Sequence, residues 1–126
     1  MSTRHFVNLA GYRLYIPGIL GRYGSMTVRA LRCNNAGVAD RWLHIFATET
    51  DVLPSNGTAP SYAPLFLPAN YISEDTFPDG RIIAAPGLLF IVSSTRATLT
   101  ADAAATVDIG VDVDELLDAF DPGLDQ

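Results

Sequence analysis

Short apolar runs separated by turn residues fill most of this chain, from Arg41 to Asp114. In order they read RWLHIFAT, PLFLP, RIIAAPGLLFIVSS and TVDIGVDVD. Runs of four to eight residues that favour β-structure, bounded by Pro, Gly and Asn, are typical of all-β sandwiches and barrels. The pattern therefore predicts an antiparallel β-sandwich of roughly seven to nine strands, with jelly-roll or Ig-like topology.

The clearest strand lies near the end of the chain, where apolar and polar positions alternate strictly. Its apolar residues are Val107, Ile109, Val111 and Val113, and its polar partners are Asp108, Gly110, Asp112 and Asp114. A period of two gives one buried face and one acidic outer face. The spacing is not that of an EF-hand loop, so we expect a solvated or arginine-paired face rather than a Ca²⁺ site.

Two earlier strands carry more specific signals. In the strand that begins at Ser25, the apolar positions change parity between Ala30 and Leu31, which predicts a bulge. The strand over Arg41–Thr48 is apolar on both faces, because Trp42, His44 and Phe46 alternate with Leu43, Ile45 and Ala47. Such a strand is either central in the fold or covered by another subunit.

The two ends of the chain predict less regular structure. Residues 1–24 contain four glycines, and we interpret them as an N-terminal arm with short strand candidates at His5–Leu9 and Arg13–Ile16. Residues 25–114 form the predicted sandwich domain, and residues 115–126 form an acidic C-terminal tail. Within that tail, Glu115–Phe120 is predicted to make a short helical turn before the break at Asp121-Pro122-Gly123.

Charge is distributed unevenly along the chain. All eight basic residues are arginines, and the net charge is −6. The first 41 residues hold six arginines and one acid, whereas the rest holds two arginines and thirteen acids. Either the two halves fold onto each other, or a basic edge of one subunit meets an acidic edge of the next. Without a dense Lys/Arg run, we predict no nucleic-acid partner.

The length and the apolar runs limit the class of protein. A chain of 126 residues forms one domain with a substantial core. The start, MSTRHFVNLAG, lacks the features of a signal peptide, which predicts synthesis and folding in a cytoplasm. No apolar run approaches the roughly 20 residues of a membrane helix, so we predict no membrane partner.

No residues form a pattern typical of an enzyme. His5 and His44 lack neighbours suited to metal binding or acid–base chemistry, and Cys33 has neither a CxxC partner nor a nearby base. The hydroxyls of Ser93-Ser94-Thr95 lack the surrounding GxSxG motif. We therefore predict a non-enzymatic protein with no cofactor and no metal. The aromatic residues could line a sugar-binding groove, although such residues more often fill cores and interfaces.

Several short motifs together resemble a known group of proteins. They are Trp42-Leu43-His44-Ile45-Phe46, Pro54-Ser55-Asn56-Gly57-Thr58-Ala59-Pro60, Gly80-Arg81, Pro86-Gly87-Leu88 and Ser93-Ser94-Thr95-Arg96-Ala97-Thr98-Leu99-Thr100, followed by a closing strand. This layout resembles small virion-associated β-sandwich proteins of tailed bacteriophages. The resemblance covers about residues 40–113. In such proteins a proline commonly stands where this chain has Arg96.

The resemblance implies a structural part of a phage particle: a head decoration, a connector or a tail component. From it we predict a capsid decoration (cement) protein that is made in the bacterial cytoplasm and located in the virion. We expect it to form homo-oligomers, with a trimer favoured, and to bind other virion proteins such as the major capsid protein. A tail or neck protein is the alternative within this class, and a carbohydrate-binding module is the alternative outside it.

The predicted interface combines the two oppositely charged parts of the chain. The N-terminal arm is expected to reach across a subunit boundary, because its apolar residues need cover and its arginines suit an acidic neighbour. The candidate interface residues are Arg4, Phe6, Arg13, Tyr15, Arg22, Trp42, Asp108, Asp112 and Asp114.

Overall fold

A computed structural model of the chain describes residues 2–18, 24–76, 82–84 and 87–117. These residues form nine β-strands and no helix. The strands are β1 (Ser2–Gly11), β2 (Arg13–Pro17), β3 (Gly24–Asn35), β4 (Arg41–Ala47), β5 (Leu65–Leu67), β6 (Tyr71–Thr76), β7 (Ile82–Ala84), β8 (Gly87–Ser93) and β9 (Val107–Leu117). In this described part of the chain, no helix is long and apolar enough to span a bilayer.

The strands form two antiparallel sheets. A five-stranded sheet has the order β1-β9-β3-β6, and β7 pairs with β3 beside β6. A four-stranded sheet has the order β2-β8-β4-β5. The buried residues of both sheets join one hydrophobic core, so the predicted all-β antiparallel sandwich is confirmed.

The strand pairs are nested along the chain. The innermost pair is β4 with β5, and it is enclosed in turn by β3 with β6, β2 with β8 and β1 with β9. A chain paired in this way is a long hairpin whose two arms are wound together into two sheets. This is a jelly roll, which decides between the two topologies that the sequence left open.

Apolar periodicity correctly predicted the strands that supply the core. Val107, Ile109, Val111 and Val113 are all buried on the inner face of β9. In β3 the buried positions change parity, and the register with β9 shifts between Val28 and Ala30. The predicted bulge is therefore present, and it lets β3 stay apolar toward the core on both sides of the shift.

The two ends of the chain are more regular than predicted. All ten residues of β1 pair with β9, β2 pairs with β8, and Leu14 and Ile16 of β2 are buried. The expectation of an arm with little regular structure is wrong for residues 2–18, because these strands complete the two sheets of their own chain. As a division into functional units, the boundaries at residues 24 and 114 stay a prediction.

The predicted helical turn at Glu115–Phe120 is also wrong in part. Strand β9 continues to Leu117, and its last residues pair with both β1 and β3. Sheet hydrogen bonds on both sides therefore override the local helical preference there. Residues 118–120 lie outside the described residues.

Candidate interface surfaces

The outer face of the four-stranded sheet is apolar and covered by the chain itself. Phe46, Leu89 and Ile91 point away from the central core and form a second, smaller cluster with Leu99. Leu99 comes from the loop after β8, and its side chain is fully buried. A single leucine thus anchors that loop on the sheet.

The loop at residues 94–101 forms this cover through Leu99, and residues 51–64 form a second loop joined to it; we call the two loops together the loop cap. They are joined by backbone hydrogen bonds, because the amide of Gly57 donates to the carbonyl of Leu99 (2.7 Å) and the amide of Leu99 donates to the carbonyl of Thr58 (2.8 Å). The amide of Ala101 also donates to Oδ1 of Asn56 (3.1 Å). Gly57 has φ of 94°, which explains the Asn-Gly pair at this turn.

The hydroxyl side chains of the second loop hold it in shape. Ser93 Oγ donates to the carbonyl of Thr95 (2.8 Å) and accepts from the amide of Thr100 (3.0 Å). Thr95 Oγ1 lies 2.7 Å from the carbonyl oxygen of Thr98 and 2.9 Å from Oγ1 of Thr100. The Ser/Thr run, which carries part of the resemblance, therefore closes a tight loop by side-chain to backbone bonds.

His44 lies beneath the loop cap with no exposed surface. Its Nε2 is 2.9 Å from the carbonyl oxygen of Thr95, while its buried Nδ1 has no hydrogen-bond partner. Nε2 therefore donates to this carbonyl, and the neutral ring keeps a lone pair on Nδ1. Burial lowers the pKa of His44, since desolvation penalises the charged imidazolium. The residue ties β4 to the cap.

Two predicted interface residues on β2 contact the same chain. The guanidinium of Arg13 donates to the carbonyl (2.6 Å) and the carboxylate of Asp51, and the bond to the carboxylate raises the pKa of Arg13. Tyr15 packs on the second cluster, and its hydroxyl donates to the carbonyl of Thr48 (3.3 Å). Burial raises the pKa of Tyr15. Both residues fasten β2 to the loop that follows β4.

Trp42 borders the same outer face at the β5 edge. Its ring centroid lies 5.7 Å from that of Phe66, with the planes tilted by 42°. Phe66 is half exposed. The pair forms a small aromatic surface beside the loop cap.

This arrangement explains the two-sided apolar pattern of β4. The strand is central, because it pairs with both β5 and β8, and its outer face is covered by the loop cap. The apolar outer face of β4, for which the sequence left a second subunit as an alternative cover, is therefore buried within one chain. Self-association of the protein remains a prediction that needs other support.

The outer face of the five-stranded sheet is open and charged. Asp108 is exposed, Asp112 and Asp114 are partly buried, and Asp114 Oδ2 lies 3.4 Å from Nη2 of Arg29. The arginine-paired face that the alternation predicted is thus present at Asp114. Among the described residues, no group of three or more His, Cys, Asp or Glu side chains is arranged to hold a metal ion.

A groove of about 640 Å³ crosses this outer face at the centre of β9. Gly110 forms its floor, with Asn8 opposite in β1 and Arg32 opposite in β3. Arg32 Nε donates to Oε1 of Glu74 on β6 at 2.8 Å. The groove is lined by amide, carboxylate and guanidinium groups together with apolar side chains, so it suits a partner surface of mixed polarity.

The structure separates the predicted interface residues into two groups on different sheets. Arg13, Tyr15 and Trp42 belong to the four-stranded sheet. The other described members belong to the five-stranded sheet, where Arg4 lies opposite Asp114 and Phe6 opposite Asp112 in the register of β1 with β9, and where Asp108 follows on β9. Arg22 lies outside the described residues. The role of all these residues at a subunit boundary stays a prediction.

Sequence reasoning missed the anchor of the loop cap and the free edge of β6. Leu99 is the one large apolar residue in the stretch SSTRATLT, and such an isolated residue signals a loop fixed to a core. Tyr71 and Ile72 of β6 are 59% and 44% exposed, and Val38, on a neighbouring turn, is 91% exposed. Only the sheet order shows that these residues lie together at an edge.

Comparisons with known proteins give little further information. No protein-family model and no curated protein matches the chain. One solved structure is similar, the coat protein of Tobacco streak virus, at 13% sequence identity and a TM-score of 0.40, with 94% of this chain and 88% of that chain covered. A TM-score this low carries no argument about fold or function.

Proposed function

We propose that this protein is a non-enzymatic structural component of a tailed-bacteriophage virion, and specifically a capsid decoration protein that acts as a homo-oligomer bound to the particle. A trimer is the favoured form. A tail or neck component is the alternative place in the virion. The proposal rests on the resemblance of the loop and strand motifs to virion-associated β-sandwich proteins.

One observation carries the proposal. The two longest motifs of the resemblance, at residues 54–60 and 93–100, are distant in the sequence but joined through Gly57, Thr58 and Leu99 in the loop cap. They therefore specify a single folded feature. A chance match of two motifs that fold together is rarer than a chance match of two unconnected turns. The jelly roll adds support, because viral capsid domains are among the proteins that use it, although the fold alone does not decide function.

The direct test is mass spectrometry of virions purified from the source of the sequence. We expect the protein in the particles, with a copy number that scales with that of the major capsid protein. A low and fixed copy number, with antibody label at the neck or tail, would favour the alternative place. Complete absence from purified particles would refute the proposed function.

A carbohydrate-binding module is the second candidate, favoured by the aromatic pair Trp42 and Phe66. Phe66 is half exposed beside Trp42, and stacked aromatic side chains are a common platform for sugar rings. Trp42 is the only tryptophan of the chain, so its fluorescence reports on this surface alone. Titration with a panel of host glycans would quench this fluorescence in a glycan-binding module and leave it unchanged in a decoration protein.

A further inference from the structure

We infer that copies of this chain associate head to tail through the edges of the five-stranded sheet, with β1 of one copy pairing antiparallel to β6 of the next. This inference deepens the proposed function, and it rests on it in taking a second copy as the partner. The surface is made of backbone hydrogen-bonding groups, flanked by exposed apolar and charged residues.

The strand edges of the described structure differ in how well they could accept another strand. At the edges of the four-stranded sheet, β5 has three residues between Pro64 and Pro68, and β2 ends at Pro17. Proline and short length are common ways to prevent edge pairing. In contrast, β1 has ten residues and β6 has six, and neither contains a proline. These two strands are the edges of the five-stranded sheet that lack such protection.

The two edge strands carry opposite charges. Strand β1 contains Arg4 and His5 but no acid, whereas β6 contains Glu74 and Asp75 but no base. Glu74 already pairs with Arg32 of its own chain, but the two side chains are 66% and 62% exposed. The carboxylate therefore remains open to a second cation from a neighbour. This complementarity favours a second copy over an unrelated partner, because both halves of the match lie in one sequence.

One antiparallel register matches both the charged and the apolar positions. It places Glu74 opposite Arg4, Ile72 opposite Phe6, and Tyr71 opposite Val7 of the next copy. A shift of two residues in either direction places Glu74 opposite Phe6 or Ser2 and loses the charge pair. Opposite charges and aromatic or β-branched pairs are the cross-strand combinations that stabilise a sheet. Tyr71 and Ile72, exposed in a single chain, would then be covered.

Strand direction makes this contact compatible with a closed ring. Three successive antiparallel pairings separate β1 from β6, so these two strands run in opposite directions within one chain. Antiparallel pairing across the boundary therefore leaves the next copy in the same orientation along the strand axis. Head-to-tail contacts with a preserved axis are those that generate cyclic oligomers, including the favoured trimer.

Disulfide trapping tests the register directly. Opposed Cα atoms of an antiparallel pair are about 4.5–5.5 Å apart, which is within the range of a disulfide. In one chain β1 and β6 are three strand spacings, about 14 Å, apart, so Arg4→Cys with Glu74→Cys cannot close within one copy. We expect oxidation of this variant to give covalent oligomers on non-reducing gels.

The matched control moves one cysteine out of register. Arg4→Cys with Ile72→Cys keeps both edges but places the cysteines two positions apart, and we expect at least about tenfold less cross-linking. Buried Cys33 stays in place in both variants and in the wild type. Equal cross-linking of the two double variants, or none in either, would overturn the inference.

Charge reversal gives a second test that does not depend on oxidation. In sedimentation velocity, Arg4→Glu and Glu74→Arg should each weaken self-association by roughly three- to tenfold, and the double variant R4E/E74R should restore it. Arg96→Glu, on the exposed loop cap, is the control and should have no effect. If none of these substitutions changes self-association, the copies use another surface and the inference is refuted.

The outcomes also separate this inference from the proposed function. A protein that is found in virions and self-associates, but shows no cross-linking in this register, keeps the proposed function and loses the inference. A protein that cross-links in register but is absent from virions keeps the inference and loses the proposed function.

Discussion

The outer faces of the two sheets differ in what covers them. The four-stranded sheet presents Phe46, Leu89 and Ile91, and the loop cap buries them under Leu99. The five-stranded sheet presents Asp108, Asp112 and Asp114 and stays open, with a groove across β9 that is lined by both polar and apolar residues. The same chain therefore uses one outer face to build stability and leaves the other available for contacts.

The central strands of the two sheets show the same difference. Every residue of β8 is buried, as expected for a strand covered on both faces. In β9, buried valine and isoleucine alternate with aspartate and glycine, as expected for a strand with one face toward solvent. The compositions of β8 and β9 thus indicate that the chain covers the outer face of the four-stranded sheet and leaves the outer face of the five-stranded sheet open to solvent. The following predictions test that difference.

Removal of residues 2–17 should have the largest effect, because it takes one edge strand from each sheet. Leu14 and Ile16 leave the core, and β9 loses all ten paired residues of β1. We expect loss of the cooperative unfolding transition in urea and of the β-sheet signal in circular dichroism. A truncated chain that still unfolds cooperatively would show that these strands are a separable arm.

Leu99→Ala should be the most damaging single substitution in the loop cap. It removes a fully buried side chain from the second cluster, and such changes cost about 2–5 kcal/mol. Urea unfolding measures the change. Val38→Ala is the control, because Val38 is almost fully exposed, and it should change the free energy of unfolding by less than about 0.5 kcal/mol. Equal effects of the two substitutions would contradict the burial of Leu99 on the outer face of the four-stranded sheet.

Two glycines provide a matched comparison of the sheets. A Cβ at Gly87 of β8 would lie 2.7 Å from the carbonyl oxygen of Thr48 and 3.1 Å from that of Ile16, so Gly87→Ala should destabilise by about 1–3 kcal/mol. A Cβ at Gly110 of β9 would lie 2.7 Å from Oδ1 of Asn8, a side-chain end that can turn away. Gly110→Ala should cost less than about 1 kcal/mol. Thermal or urea unfolding of both variants measures which substitution is more destabilising.

The buried imidazole of His44 should make the loop cap sensitive to acid. Because burial lowers the pKa of His44, the unfolded chain binds its proton at a higher pH than the native chain does. The free energy of unfolding should therefore be constant above about pH 7 and fall below about pH 6.5, by at most about 1.4 kcal/mol per pH unit for this group.

The variant His44→Phe isolates this contribution. It cannot take up a proton, so the decline below about pH 6.5 should be smaller than in the wild type when both are unfolded in urea between pH 5 and pH 8. Identical slopes for the two proteins would show that His44 does not contribute.

Arg32→Ala should have the smallest effect. Its pair with Glu74 lies on the open face with both side chains largely exposed, and such pairs contribute about 0–1 kcal/mol. Arg41→Ala is the contrast, since Arg41 and Asp102 are only 27% and 18% exposed at 2.5 Å, and its loss should cost more. Added salt should reduce the Arg32 effect further. An Arg32 effect above that of Arg41 would contradict this order.

The local features of this protein could be predicted from its pattern of apolar and polar residues. The alternation in β9 and the parity change in β3 each predicted a feature that the structure contains, because each depends on neighbouring residues and on backbone preferences. Most strand positions followed from the same periodicity. The all-β sandwich could therefore be predicted from the pattern alone.

The way in which these features combine depends on contacts between distant parts of the chain. The nested pairing that makes a jelly roll joins distant parts of the chain, and the partners in β1 and β9 are 96 to 114 positions apart. Local periodicity has no information about such partners, so it does not show that the N-terminal strands β1 and β2 pair with β9 and β8. The loop cap depends likewise on Leu99 meeting a face formed by β4 and β8. Whether an apolar face is buried by its own chain or by another subunit depends on these long-range contacts, and sequence periodicity does not encode them.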